Sequence, residues 1–438
     1  MSSPTVWLTT LGCAKNQVDS EKVEMMLAEA GYLLAEDPET ADVVMVNTCA
    51  FIEEARRESV DTILDVQDAK RPDARTVVIG CMAQRFGVDI EEALPEVDAV
   101  LGLDRYGELV STLDRLTGNW EQVDLRRRPA MDILHSVNRP LPTLPYAYVK
   151  VAEGCDKPCT FCAIPLIRGA QRSRRPIEIR DEMRGLVDAG VGEVVLVAQD
   201  LAAYGRDADE SWNIVDLLRF VTDIDGLHTA RLLYLYPREI RPELVAEMAG
   251  NPRIAPYFDL SLQHSSGRLL RAMKRPGDGA RYRDLVASIR AAGPEAALRS
   301  SFIVGFPGET DDDVDDLAEF LADVRLDWAG FFPYSAEAGT PAADLDHQVD
   351  RGAVEERLRH LQEIQDEITA AANLDMIGRV LDVVIDQIED GVPVGRSYRE
   401  APEIDGMIAL DKGSPGEVVR AEVLAAFGPD LEAKVVKA

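Results

Sequence analysis

The sequence predicts an α/β protein made of an N-terminal doubly wound parallel sheet, a central partial (βα)6 barrel and a C-terminal small antiparallel β-barrel. Three observations carry this reading. Strand-like and helical runs alternate through residues 1–140; the alternation resumes six times between Tyr146 and Tyr334; and from Arg379 short β-branched runs are punctuated by Gly/Pro turns. With 438 residues and 46% apolar content the chain can bury several cores. The segments are read as 1–140, 141–375 and 376–438.

In the first segment, strands at 6–12, 42–47 and 76–79 end at Gly12-Cys13, Thr48-Cys49 and Gly80-Cys81. Helical spacing over 17–31, stopped by Gly31, and over 53–70 separates them. All three cysteines are thus predicted just beyond strand C-termini, the edge where open α/β sheets collect ligands. Buried structural cysteines would be the plain alternative.

Six further strands are read at 147–152, 193–198, 230–235, 257–262, 298–304 and 328–332, with helices at 177–189, 214–222 and 314–324 among them. Loops at the C-terminal ends of such strands form the site of a βα barrel. The acidic run 311–316 opens a helix, where its charge suits the dipole and needs no further role. A long helix over 354–377 leads to strands at 380–388, 406–410, 417–423 and 433–437.

Net charge is −31, from 47 Lys/Arg against 78 Asp/Glu. Such a surface repels tRNA and DNA and attracts basic partners, although acidity also serves solubility. Residues 379–438 contain seven Lys/Arg and twelve Asp/Glu, so this module suits a phosphate backbone poorly. No apolar run is long enough for a membrane span, and the start lacks the basic and apolar regions of a signal peptide. Six cysteines are too few for a disulfide scaffold of this length, which points to a cytoplasmic protein.

The chemistry is written in Cys155-Asp-Lys-Pro-Cys159-Thr-Phe-Cys162. Three clustered thiolates can ligate three irons of a cubane and leave the fourth iron open. Zinc competes for such a site, but structural zinc wants four ligands and Ala163-Ile-Pro-Leu166 follows. Cys13, Cys49 and Cys81 form a second such triplet, also without a fourth cysteine.

A Cys-x3-Cys-x2-Cys run after the first strand of a six-fold βα barrel resembles the radical S-adenosylmethionine superfamily. With three upstream cysteines and a small C-terminal, TRAM-like barrel, the whole chain resembles the methylthiotransferases of that superfamily. The resemblance implies S-adenosyl-L-methionine and two [4Fe-4S] clusters as cofactors. One cluster would sit on Cys155, Cys159 and Cys162, and an auxiliary one, carrying the sulfur to be inserted, on Cys13, Cys49 and Cys81. By position it also implies Phe161, Gln199, Ser301 and Gly305 as cofactor contacts, although Phe161 also reads as a core residue and glycines suit any strand-to-helix turn. Asp200, Tyr204 and Gly205 lie in the same loop as Gln199. His264 reads as a substrate contact or a cap. Arg168, Arg172, Arg174 and Arg175 could meet the cofactor, the substrate or the protein's own acids. Lys15 and Asn16 could shape the auxiliary site.

Tyr146-Ala-Tyr-Val-Lys-Val151, Leu233-Tyr-Leu-Tyr-Pro237, Leu262-Gln-His-Ser265 and the stretch 395–406 resemble the branch that modifies an aspartate β-carbon in the twelfth small-subunit ribosomal protein. A basic substrate agrees with the acidic chain. The rivals are the tRNA-adenosine branch and a non-catalytic iron–sulfur carrier or ribosome-docking adaptor. The implied reaction also requires an electron donor and a sulfur donor, which these motifs do not name.

Overall fold

Five short strands, β1 (Thr5–Thr10), β2 (Leu33–Leu34), β3 (Val43–Thr48), β4 (Arg75–Gly80) and β5 (Ala99–Leu101), pair in parallel in the order β2-β1-β3-β4-β5. The computed structural model describes residues 3–118, 134–135, 137–208 and 212–437. Met1 and Ser2, where the reading of the leader begins, and Ala438 lie outside them. β3 and β4 are unbroken apolar runs because both faces are covered: Val43–Val46 and Val77–Ile79 are fully buried. Helices α1 (Ala14–Glu29), α2 (Glu53–Ala69) and α3 (Cys81–Ala93) follow β1, β3 and β4, and α4 (Leu109–Thr117) comes after β5. The sequence reading found three of the five strands. β2 and β5 have only two and three residues, too few for a period-2 pattern to show.

This unit comprises Met1–Leu141 together with Glu153–Asp156 and Cys162–Glu178. Its later piece carries α5 (Ile164–Arg168), which packs on α3; Ala163 and Ile167 share a core with Cys81, Met82 and Ala83.

The second unit comprises Pro142–Ala152, Lys157–Phe161 and Ile179–Ala438. Its strands β6 (Tyr146–Lys150), β7 (Glu193–Val197) and β8 (Thr229–Leu232) form one parallel sheet. β9 (Tyr257–Gln263), β10 (Ala297–Val304) and β11 (Trp328–Pro333) form another. A parallel bridge from Leu235 to Leu260 joins them, so six strands run in sequence order as the expected open barrel. Alternate residues face the outer helices: Ala147, Val149, Val194, Leu196, Ala230 and Leu232 belong to their core. The intervening Tyr146, Tyr148, Glu193 and Arg231 face the other way.

The chain leaves through α12 (Arg351–Leu374), the last of seven helices α6 to α12. Of these, α6 (Pro176–Asp188), α7 (Ile214–Val221), α8 (Pro242–Gly250), α9 (Gly267–Ala272), α10 (Gly279–Ala292) and α11 (Asp311–Val324) pack around the strands. α11 is the helix opened by the acidic run, and Thr310 and Asp313 cap it reciprocally.

Strands β12 (Val380–Glu389), β13 (Val392–Arg396), β14 (Ile408–Leu410), β15 (Val418–Phe427) and β16 (Asp430–Val435) close a barrel in the order β12-β13-β14-β16-β15. The expectation of an antiparallel barrel needs one correction, because β14 and β16 pair in parallel. Five strands closing on themselves cannot alternate direction all the way round. β13 escaped the sequence reading because Pro393 and Gly395 disguise it.

The stretch from Arg396 to Asp405 fills the end of the open barrel where its strands begin. Tyr146 Oη donates to Glu403 (2.8 Å), Tyr257 Oη to Asp405 (2.6 Å) and Trp328 Nε1 to the Arg399 carbonyl (2.7 Å). Arg231 donates to the carbonyls of Tyr398 (2.8 Å) and Ser397 (3.1 Å), and Arg396 Nη1 lies 2.7 Å from Glu193. Each inward polar residue named here is thereby satisfied.

Burial pushes the Asp405 carboxyl up to about 6, against the pull of Arg299 and Tyr257. A carboxyl raised above its unfolded value contributes stability below that unfolded value and loses it as pH rises through the folded one. Between about pH 4 and about pH 7 the chain should therefore lose a component of thermal stability that Asp405→Asn lacks. Melting both proteins across that range tests this; a pH-independent difference between the midpoints would refute it.

Candidate metal centres

The order β2-β1-β3-β4-β5 places a topological switch between β1 and β3, where the chain leaves in opposite directions and a crevice opens at the strand C-termini. Cys13 follows β1, Cys49 follows β3 and Cys81 follows β4. Cys13 is the N-cap of α1 and Cys81 the first residue of α3, so both thiols meet the positive end of a helix dipole.

Two glycines make this packing possible. Gly12 has φ +90°, and a Cβ there would stand 2.7 Å from Cys49 Cβ and 2.8 Å from its sulfur. Gly80 has φ +95°, and its Cβ would collide with Asn47 Oδ1 at 2.3 Å. Asn16 then ties the strand ends together: its Nδ2 donates to the carbonyls of Leu11 (2.9 Å) and Thr48 (3.0 Å). Asn47 donates to the Asn16 carbonyl (3.0 Å), and Ser59 Oγ accepts the Cys49 N–H (3.1 Å).

One arginine organises the charge. Arg168, only 4% exposed, donates through Nη1 to Glu153 (2.7 Å) and Asp19 (3.2 Å). Through Nη2 it donates to Asn16 Oδ1 (2.6 Å) and Cys81 Sγ (3.2 Å). Removing one member of a buried ionic group of this kind costs about 3–5 kcal/mol. Burial opposes ionisation of Cys13, yet Lys15, Arg168 and backbone N–H groups outweigh it and hold the thiol below its usual range. Burial raises Cys49 and pushes Cys81 up to about 12 despite Arg168. Tyr106 Oη, fully buried and in the field of Asp19 and Cys81, has no hydrogen-bond partner among the described residues.

The donor set fits an iron–sulfur cluster. Among the described residues no three His, Cys, Asp or Glu side chains gather around one metal ion. A cubane takes one thiolate on each of separate corner irons, so its ligands need not converge on a point. Cys13 and Cys81 stand at helix N-termini and Cys81 also meets the buried Arg168 guanidinium, and these positive groups supply charge compensation for three thiolates.

The second motif runs through both units: Cys155 and Cys162 belong to the first and Cys159 to the second. The Cys155 N–H donates to the Gly169 carbonyl (3.1 Å) and the Gln171 N–H to Asp156 (3.0 Å). Gly154, at φ +77°, is required there, since a Cβ would stand 2.1 Å from the Ala170 carbonyl oxygen. In the second unit Arg275 Nη1 lies 3.4 Å from Cys159 Sγ, and its guanidinium lies over Tyr236, 4.3 Å from the ring centre. The neighbouring Thr160 is pinned to the end of α9 through Met273 (3.1 Å) and Ala272 (2.9 Å).

Among the other expected residues, Phe161 is half-buried against the core of the second unit. Gln199 and Asp200 follow β7; Asp200 is buried 3.2 Å from Lys157, which also reaches Glu239 at 2.6 Å. Ser301 on β10 lies 3.5 Å from Arg299. Gly305, at φ +81°, donates its N–H to Glu309 (2.9 Å), and a Cβ would stand 2.4 Å from Val354, so α12 itself demands the glycine. His264 acts as a cap, its Nδ1 accepting from Ser265 and Ser266 (both 3.0 Å). Of the four arginines, Arg168 meets the protein's own acids; Arg174 is buried, Arg172 is exposed, and Arg175 is an exposed partner of Glu178. Sequence reasoning missed Asp19, Ser59, Tyr106 and Arg275, for none of them lies in a motif.

Three families match the chain in order: one described as uncharacterized protein family UPF0004 over residues 5–102, the Radical SAM superfamily over 149–321 and the TRAM domain over 377–436. The radical S-adenosylmethionine methyltransferase TsrM from Kitasatospora setae has a similar fold, with TM-score 0.54 at 17% identity, covering 78% of this chain and 75% of that one. Full-length relatives are much nearer in sequence. A protein of Anaeromyxobacter sp. is 43% identical over 98% of this chain and 93% of its own length. One of Cutibacterium acnes is 41% identical over 99% and 98%. Both are called ribosomal protein uS12 methylthiotransferase RimO. No helix among the described residues is long and apolar enough to cross a membrane. With identity of this level along its whole length and the Radical SAM and TRAM families matched in their expected places, the chain belongs to the RimO family of radical S-adenosylmethionine methylthiotransferases.

Proposed function

We propose that this enzyme inserts a methylthio group at the β-carbon of an aspartate in ribosomal protein uS12, in the cytoplasm. The substrate reading is carried by one observation, the full-length identity with relatives of that name. The net charge of −31 favours a basic protein over tRNA as partner, met free or on the ribosome. An electron donor and a sulfur donor complete the set of partners.

Cys155, Cys159 and Cys162 would hold one [4Fe-4S] cluster and Cys13, Cys49 and Cys81 the auxiliary one. When bound, S-adenosylmethionine and the clusters supply a 5′-deoxyadenosyl radical, a methyl group and sulfur. The radical is chemically necessary because an unactivated C–H bond is not deprotonated at neutral pH. The chain's own residues hold and orient. Gly12 and Gly80 let the first triplet close, Asn16 and Ser59 fix its backbone, and Arg275 donates to Cys159. Phe161, Gln199, Ser301 and Gly305 are proposed to line the S-adenosylmethionine site, with buried Asp200 and half-buried Lys157 as a charge pair next to Gln199.

Anaerobic incubation of the reconstituted enzyme with S-adenosylmethionine, a reductant, and either uS12 or tRNA tests this. A mass gain of one methylthio group on uS12 is expected, with a rate that falls as salt screens the charge attraction. Modification of tRNA alone would overturn the assignment.

A further inference from the structure

Arg168 lies outside both cysteine triplets, yet its guanidinium binds a thiol of the first, Cys81. Its Nη1 is held by two buried carboxylates, Glu153 and Asp19, which leaves Nη2 directed at Asn16 Oδ1 and Cys81 Sγ. A guanidinium is a planar fork, so anchoring one edge fixes the direction of the other. Its helix, α5, packs on α3, which begins at Cys81, so the backbones at both ends of this contact are fixed as well.

We propose that Arg168 is a positioning residue of the first triplet, orienting Cys81 and, with Asp19 as its counter-charge, setting the reduction potential of the cluster held there. The inference rests on the reading that Cys13, Cys49 and Cys81 ligate a cluster. Hydrogen bonds to ligating sulfur and net local charge are the protein's levers on such a potential. Weakening the donor favours the oxidised, less negative cluster and lowers the potential. Neutralising the counter-acid leaves more positive charge beside the cluster and raises it. A purely structural residue would not give opposite signs.

The test uses the full chain carrying Cys155→Ala, Cys159→Ala and Cys162→Ala, so that only the first triplet can bind iron. Redox titration followed by electron paramagnetic resonance is run on this chain, and again with Arg168→Lys or Asp19→Asn added. Arg168→Lys keeps the charge but cannot span four acceptors, and should move the potential negative; Asp19→Asn should move it positive. Unchanged potentials, or shifts of the same sign, would overturn the inference. If Arg168→Lys no longer binds iron, the Asp19→Asn shift decides alone, with a positive move supporting the inference and any other result sinking it. Absence of a four-iron cluster before either substitution would instead defeat the proposed function, and this inference with it.

Discussion

Replacing Cys159 by alanine is expected to lower formation of 5′-deoxyadenosine from S-adenosylmethionine at least about a thousandfold, equivalent to about 4 kcal/mol of barrier. Cys159 is the middle thiol of its motif, and it is the one that Arg275 contacts at 3.4 Å. On the proposed assignment its loss removes an iron ligand, and it leaves the Arg275 guanidinium without its sulfur partner. The fold should survive, because Thr160 keeps its bonds to the end of α9 and Phe161 its place against the core. Circular dichroism should therefore be unchanged while chromatographic assay of 5′-deoxyadenosine falls to background. Cofactor cleavage at the normal rate would remove the second triplet from the mechanism.

Replacing Cys49 by alanine should have a different signature. Cofactor cleavage should persist within about threefold, whereas methylthio product should fall by at least about a hundredfold, or about 3 kcal/mol. Iron and sulfide should drop by the content of one cluster. The local backbone does not depend on the thiol: Ser59 holds the Cys49 N–H and Asn16 holds the Thr48 carbonyl. The small side chain also relieves the close approach of Gly12. Mass spectrometry of uS12 and metal analysis on one preparation read both effects. Full product from the Cys49 variant would show that the first triplet is not the source of inserted sulfur.

Much of this was legible in the amino-acid order, and what was not has physical reasons. The six central strands were readable because each is an apolar run between helical stretches. The cysteine positions followed, since Gly12-Cys13, Thr48-Cys49 and Gly80-Cys81 close three such runs. The start of α1 at Ala14 was missed because its cap is Cys13, which makes no side-chain capping bond and carries none of the usual cap signals. The Arg168 group was beyond reach: it joins residues 149 positions apart to Asp19 and 87 apart to Cys81, and only the folded chain brings them together. Gly305 reads as a cofactor contact, and the fold adds a separate reason for the glycine, Val354 on α12, a contact with β10's end that no local pattern announces.

The bonds from Arg396–Asp405 to Tyr146, Glu193, Arg231, Tyr257 and Trp328 make the C-terminal module the floor of the reaction vessel. Severing the chain after α12 would take away no mere appendage; it would expose a ring of buried polar groups to water from below. With that base plate in place, the lower end of this unit's barrel is plugged by its own chain, opposite the end at which β7 runs into Gln199.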